Sequence, residues 1–532
     1  MSRSDQAAGR FDDTGLVSSP DRSQPEGADA VPVDSSNRSG PAIATSFHQD
    51  AAARPETPSA GRASSDTLKR ILPWLVAVSF FMESLDMTIL NTAAPTVAAA
   101  LGVAPLSLKS ALTSYTLSLA LFIPLSGWMA DRFGTRRVFG SAIGIFTLGS
   151  LLCGLSTNLH MLVAARILQG IGGAMMMPVG RIAIVRTFPK TEIMRAMSFV
   201  VIPGLIGPLI GPLAGGAIVD YLHWRVIFFV NVPVGVIGLY CVSRYMPDYR
   251  GVSRVPLDFA GFLLFGGGVA LLSHALEVFG EHSMALPGVL AMVAVAVALL
   301  LAYARHALGR PYPLLRVSLF RKRTFSTAVL GGFVSRLGIG GMPFLLPLFY
   351  QVGFGRSPVQ AALLIMPQPL AAMTMKFVAP RLLDRIGYRR ALLVNTCLIG
   401  VTMALFATIG ADTPMWLILV HAYIFGFLMS AQYTSLNTLT FADLDAEETS
   451  MGSSMASVGQ QLAMSFGVAT GSLAVAMFLS AGAHAGSGPA EMVPAIRHAF
   501  VVLGALTILS SLTYRRLRPE DGDNVISAPR AG

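Results

Sequence analysis

Charge is scarce in this chain. Asp, Glu, Lys and Arg make up 13% of its 532 residues, where a soluble domain carries about 25%. Hydrophobic residues reach 53% and the mean hydropathy is +0.60, so an ordinary water-soluble enzyme is excluded. Cysteine is nearly absent. Cys153, Cys241 and Cys397 each sit in an apolar run, which excludes a disulfide framework and a zinc cluster. There is no Walker phosphate loop, so ATP drive has no support. No nucleophile–base or metal-ligand spacing marks an enzyme, and no cofactor is expected. Acidic residues are the scarcer sign: 39 Lys and Arg against 29 Asp and Glu leave a formal charge of +10. In so apolar a chain that excess belongs at a membrane surface and not on nucleic acid.

What is present falls into two compositions. Residues 1–68 are rich in Ser, Ala, Pro, Asp and Arg, with few large apolar side chains. Such a segment cannot bury enough surface to offset its ordering entropy, and it reads as a disordered tail. It holds no short apolar core of the kind a signal peptide needs. From Ile71 onward, long apolar segments alternate with short polar breaks. A hydrocarbon core of about 30 Å takes about 20 apolar residues per helix, and backbone groups in lipid must be satisfied within the segment. The expected fold is all-α and polytopic, with about fourteen spans. The first begins near residue 72, the ninth runs near 326–350 and the last near 497–514.

Basic residues cluster in alternate loops, among them Arg132, Arg136 and Arg137, Arg186, Lys190 and Arg195, and Arg250 and Arg254. Arg310, Arg316, Arg321, Lys322, Arg323, Arg389 and Arg390 continue the set. The opposite loops hold little beyond Lys109, Arg225, Arg356 and Arg497. The basic loops are expected in the cytoplasm together with both termini. One loop on that side is acidic, with Asp443, Asp445, Glu447 and Glu448 and no evident basic partners.

A segment recurs. GWMADRFGTRR begins at Gly127 and PRLLDRIGYRR at Pro380, and aligning Asp131 with Asp384 sets an offset of 253 residues. Six helices thus repeat as six, with two inserted between. The expected organisation is a tail (1–68), a six-helix bundle (69–250), two inserted helices with a linker (251–323), a second bundle (324–516) and a terminal tail (517–532). Repeats of this kind are the usual build of secondary transporters, with the substrate site at the repeat interface.

Four motifs sharpen the reading. The loop after the second span reads Gly127-x-Met129-Ala130-Asp131-Arg132-x-Gly134-Thr135-Arg136, echoed by Asp384-Arg385. The fourth span carries Arg166-x-x-Gln169-Gly170-x-Gly172. The fifth carries Gly207-x-x-x-Gly211-Pro212-x-x-Gly215-Gly216. The first carries Leu85-Asp86-Met87-Thr88-Ile89-Leu90-Asn91, ending at Pro95. On these motifs the chain, from about Trp74 to Arg518, resembles the major facilitator superfamily. Within it the chain is most similar to the fourteen-helix drug:proton antiporter branch and its MdtD type. Thr135 departs from the basic residue usual in that loop, and many relatives are neutral where this chain has Glu83.

The resemblance implies a proton-coupled exporter of small amphipathic compounds, in a bacterial inner membrane and as a monomer. Its partners would be the cargo, protons and lipid. An anionic metabolite or metal chelate as cargo, or a transporter-fold sensor, are the alternatives. Charges inside spans are informative, because each costs about 2.5–3.5 kcal/mol at a helix centre. Glu83 and Asp86 lie three apart on one helical face. The pair repels when both are ionised, which suits one of them to take up and release a proton. Asp86, Glu83 and Arg166 are the expected coupling residues, with Asp86 as the carrier. Glu83, Asn91, Arg336 and Gln432 are expected to line the cavity. The offset makes Arg336 the repeat-mate of Glu83 and raises the expectation that the two charges meet. His421 is expected to serve as an interhelical hydrogen-bonding group. Asp131 and Arg132 are expected to make charge pairs that close the basic face. The glycines of the fifth span let backbones approach, and Pro212 favours a kink.

Overall fold

The protein is described by a computed structural model, which covers residues 65–251, 256–280, 284–482 and 489–522. The expected tail up to residue 64, Arg254, residues 523–532, and the side chains of Lys190, Asp384 and Glu447 lie outside the described residues.

Fourteen helices among the described residues are long and apolar enough to cross a membrane. They are α1 (Thr67–Ala100), α2 (Pro105–Phe133), α3 (Thr135–Leu155), α4 (Leu159–Thr187) and α5 (Thr191–Tyr221). Next come α6 (Val226–Tyr245), α7 (Phe259–Gly280), α8 (Leu286–Leu308), α9 (Arg323–Gly353) and α10 (Pro358–Val378). The series closes with α11 (Tyr388–Thr408), α12 (Met415–Phe441), α13 (Glu448–Leu479) and α14 (Glu491–Arg516). No strand occurs among the described residues. The count of fourteen matches the expectation from apolar segment length.

The two recurring sequence segments share one backbone turn. Helix α2 ends at Phe133, Gly134 turns at φ 95°, and α3 starts at Thr135. At the same offset a helix ends at Ile386, Gly387 turns at φ 74°, and α11 starts at Tyr388. Positive φ at both turns is a conformation that side chains with a Cβ rarely adopt, which is why glycine recurs there.

Helix α9 is not one regular span. Two π-helical turns, Thr327–Gly331 and Phe349–Gly353, bracket a break at Gly340 and Gly341. A Cβ on Gly340 would lie 3.1 Å from the Cα of Gly467, and one on Gly341 the same distance from the Cα of Gly471. Small residues thus bring α9 and α13 into backbone contact, the usual way helices pack in lipid.

Helix α5 does the same against α1. A Cβ on Gly215 would stand 2.6 Å from the Ile89 carbonyl oxygen, and one on Gly207 would meet first the Ser84 hydroxyl, at 2.1 Å. A hydroxyl can rotate away and a backbone carbonyl cannot. Gly215→Ala is therefore expected to destabilise the protein by about 1–3 kcal/mol, and Gly207→Ala by clearly less. Thermal unfolding of the two purified variants checks this; equal losses would refute the packing account. Gly216 touches the other half, since its Cβ would sit 2.7 Å from the Pro358 carbonyl oxygen.

The inserted pair α7 and α8 lies over the seam between α2 and α13. Ala120 and Leu125 of α2, Phe265 and Val269 of α7, Tyr303 of α8, and Met455 and Leu462 of α13 share one buried cluster. The acidic loop before α13 does have a basic partner. Lys322 donates to the Asp443 carbonyl oxygen (2.8 Å), to Asp445 (3.4 Å) and to Glu448. The expectation that it stood alone is corrected: Lys322 lies over 120 positions upstream in sequence and is brought there by the fold.

Candidate functional site

The centre of the first half holds a buried polar network. Asp86 on α1 and Arg166 on α4 are each 1% exposed and form an ion pair. Arg166 Nη1 also donates to Gln169 Oε1 at 2.7 Å. Gln169 Nε2 donates to Asp86 Oδ1 (2.9 Å) and to Ser150 Oγ (2.6 Å). Asn231 Nδ2 donates to the same Asp86 oxygen at 3.2 Å and to Ser150 Oγ at 3.3 Å. Three donors from α4 and α6 therefore converge on one carboxylate, which as an ionised group only accepts.

Aromatic rings close around the guanidinium. Its Cζ lies 5.0 Å from the Phe228 centroid and 5.2 Å from that of Tyr115, within cation–π range. Helical spacing explains the assembly. Arg166 and Gln169 are three apart on α4, so both face α1, and glycines let α4 come close to its neighbours. A Cβ on Gly170 would clash with α2, and one on Gly172 with the backbone of α3.

Polar atoms beside this network are left bare. Glu83 Oε2, the Tyr115 hydroxyl and Arg166 Nε are buried without a hydrogen-bond partner. Such orphans are rare in native structures, and each calls for a physical reason. Tyr115, Arg166 and Asn91 line a small cavity of about 40 Å³ whose other wall is Gly340, Pro343, Met464 and Val468 of the second half. The polar wall comes from α1, α2 and α4, and the apolar wall from α9 and α13.

The sequence-predicted residues divide accordingly. Asp86 and Arg166 are in direct contact and Glu83 stands one turn before Asp86. Asn91 lines the cavity, its amide also reaching the Met87 carbonyl oxygen at 3.3 Å. Arg336 is buried at 5% exposure on α9, with its Cζ 4.7 Å from the Tyr433 centroid and its Nε unpartnered. It forms no ion pair with Glu83, so the expected meeting of repeat-mates does not occur in this conformation; Arg336 packs on the Tyr433 ring instead. Gln432 is 2% exposed, and its amide is spent on Thr396 Oγ1 (2.9 Å), Tyr514 Oη (3.1 Å) and Asn395 (3.0 Å). It ties α12 to α11 and α14 and does not line the cavity between the halves. His421 Nε2 contacts the Thr402 carbonyl oxygen at 2.8 Å, an interhelical bond as anticipated.

The loop signature acts locally. Asp131 pairs with Arg186 of α4 at 2.7 Å, which ties α2 to α4 within the first half. The charge pair expected to close the basic face is thus a staple inside one bundle. Arg132 makes no hydrogen bond to a described residue and is exposed. Arg136 donates to the Ser243 carbonyl oxygen and its backbone N–H to Asp248 (3.3 Å). Thr135, the departure from the usual pattern, exchanges hydrogen bonds with the segment after α6: its hydroxyl donates to the Pro247 carbonyl oxygen (3.1 Å) and accepts from the Tyr249 N–H (3.0 Å). Arg385 is exposed in the turn before Gly387.

Sequence reasoning missed Asn231, Ser150 and Tyr115. The one available signal was Asn231, a lone amide inside the apolar run FFVNVPVG. Among the described residues no group of His, Cys, Asp and Glu could hold a metal ion.

Comparison with known proteins agrees with this architecture. Residues 76–468 match the family model of the Major Facilitator Superfamily. The chain is 40% identical over 459 residues to "Putative multidrug resistance protein MdtD" of Pectobacterium carotovorum subsp. carotovorum (strain PC1), covering 86% of this chain and 97% of that protein. A protein of the same name from Cronobacter sakazakii is also 40% identical, over 86% and 96%. Among solved structures, an auto-inhibited POT family peptide transporter superposes with a TM-score of 0.63 at 15% identity, covering 84% of this chain and 97% of that one. A D-xylose-proton symporter superposes at 0.60 and 14% identity, over 86% and 99%. With fourteen apolar helices among the described residues, a helix–glycine–helix turn that recurs 253 residues on and a family match across most of its length, this multi-pass membrane protein belongs to the major facilitator superfamily of transporters.

Proposed function

We propose that the protein is a proton-coupled exporter of small amphipathic compounds, working across the bacterial cytoplasmic membrane with both termini inside. The observation that carries the reading is the fully buried Asp86–Arg166 pair beside the bare Glu83 oxygen. The names of the MdtD relatives support the cargo class, and the excess of basic loops on one face supports the orientation.

The geometry favours a division of labour that reverses the one expected from sequence. Asp86 is committed to Arg166, Gln169 and Asn231 in this conformation. Glu83, one turn away with an unpartnered oxygen, is the better site for a proton to land. Losing that proton sets two carboxylates in competition for one guanidinium, which would rearrange the network and bias the halves toward their other arrangement. At the face opposite the basic loops the halves are tied by Asp220 to the Val359 N–H (3.0 Å) and by Gln351 to the Thr92 carbonyl oxygen (2.8 Å). That supports a state closed on the outside.

Everted vesicles from an efflux-deficient host test the proposal. Expressing cells should give respiration-driven uptake of a lipophilic dye, abolished by a proton uncoupler. Uptake that survives the uncoupler, or no uptake across a panel of cations, neutral compounds and anions, would overturn it. A second reading, an anionic cargo, is favoured by the buried Arg336 with its free Nε. Uptake confined to the anions of the panel would select it.

A further inference from the structure

A second and larger cavity, of about 570 Å³, lies at the basic face, lined by none of the residues of the Asp86 network. That volume is within the range of ligand sites. Four separate stretches of chain build it: the end of α2, the linker after α6, the linker after α8, and the start of α13. It therefore sits where the inserted pair covers the α2–α13 seam.

Its charge is lopsided. Arg132, Arg250 and Arg316 line it, each from a different stretch. The acids that share the wall are already occupied. Asp131 accepts from Arg186 at 2.7 Å. Asp258 accepts from the Gly261 N–H (2.9 Å) and the Leu314 N–H (3.2 Å), and contacts His306 Nε2 at 2.7 Å. Burial pushes its carboxyl up, but those bonds outweigh it and hold Asp258 below the ordinary carboxylate range. Arg132 and Arg316 form no hydrogen bond with a described residue, and Arg250 only approaches Asp248 at 3.6 Å. Trp128 and Tyr312 add ring faces suited to the membrane border, and Ser450 and Ser454 add hydroxyls.

Two guanidiniums unpaired among the described residues, Arg132 and Arg316, and a third held only by a long 3.6 Å pair with Asp248 surround one concavity and match a phosphate ester, which takes several charge-assisted donors. Basic pockets between helices on this side of a membrane are the usual seat of anionic headgroups. We propose that this cavity binds the phosphate of a net-anionic ester, and that anionic phospholipid supplies it. The bound headgroup bridges the first half, both linkers and α13, and so clamps the inserted pair to the seam.

The test uses the full-length protein in phosphatidylcholine nanodiscs, titrated calorimetrically with dioctanoyl phosphatidylglycerol, dioctanoyl phosphatidylcholine or glycerol 3-phosphate. Phosphatidylglycerol should bind at least about tenfold more tightly than phosphatidylcholine, a difference of about 1.4 kcal/mol. The double variant Arg250→Gln/Arg316→Gln should lose that preference with an unchanged unfolding temperature. Arg321→Gln, which removes an exposed arginine outside the cavity, should keep it. Glycerol 3-phosphate binding as tightly as the lipid, and lost in the double variant, also supports the phosphate site and assigns it to a soluble ester. Equal binding of the two lipids, full affinity in the double variant, or equal loss in Arg321→Gln would overturn the proposal.

Discussion

Arg166→Leu should lower the stability of the purified protein by about 3–5 kcal/mol, the usual cost of leaving one partner of a buried ion pair uncompensated. The reason is specific to this site. Asp86 is 1% exposed, so its charge is compensated by protein groups and not by bulk solvent. The amides of Gln169 and Asn231 still reach Oδ1, but Oδ2 loses its only donor among the described residues. Neutralising the orphan should restore much of the loss: Arg166→Leu/Asp86→Asn is expected to be more stable than Arg166→Leu alone. Unfolding temperatures of the wild type, both single variants and the double variant complete the cycle. Additive losses would show that the pair contributes no coupling, and that Arg166 is held by Gln169 and its aromatic neighbours without Asp86.

Glu83→Gln should cut proton-driven accumulation of cargo by at least about tenfold, equivalent to about 1.4 kcal/mol, while exchange of cargo at equal concentrations on both sides persists. Glutamine keeps the size of the side chain and can still hydrogen-bond, but it cannot change charge. The residual exchange should also lose its dependence on pH. Measuring accumulation and exchange in the same proteoliposomes across pH separates the two roles. Wild-type accumulation by Glu83→Gln, together with loss in Asp86→Asn, would return the proton to Asp86, the carrier expected from the sequence.

These two residues show where sequence reading reaches its limit. That Glu83, Asp86 and Arg166 lie inside spans was legible, and a charge there is costly wherever the helix sits. Which of them touch was not. Each residue along a helix turns the side chain by about 100°, so partner choice depends on how each helix is rotated about its axis. Packing sets that rotation, here through Gly170 and Gly172 on α4. Arg336 shows the same limit from the other side. The repeat offset correctly places it deep in a span, yet it packs on Tyr433 and forms no ion pair with Glu83. Gln432 reads as a cavity residue and serves instead as a tie between α12 and its neighbours.

Local chemistry settled much in advance. Apolar segment length set the number of helices, because a span must satisfy its own backbone in lipid. The duplicated Asp-Arg-x-Gly turn set the repeat, because both glycines must take positive φ for the chain to reverse there. Tertiary structure alone decided the rest: that Asp131 staples α2 to α4, that Lys322 answers the acidic loop before α13, that Asn231 and Ser150 complete the Asp86 network, and that α7 and α8 cover the α2–α13 seam. Every one of these depends on residues distant in sequence arriving at one place. No local pattern encodes that arrival, which comes from the complementary fit of whole helix faces.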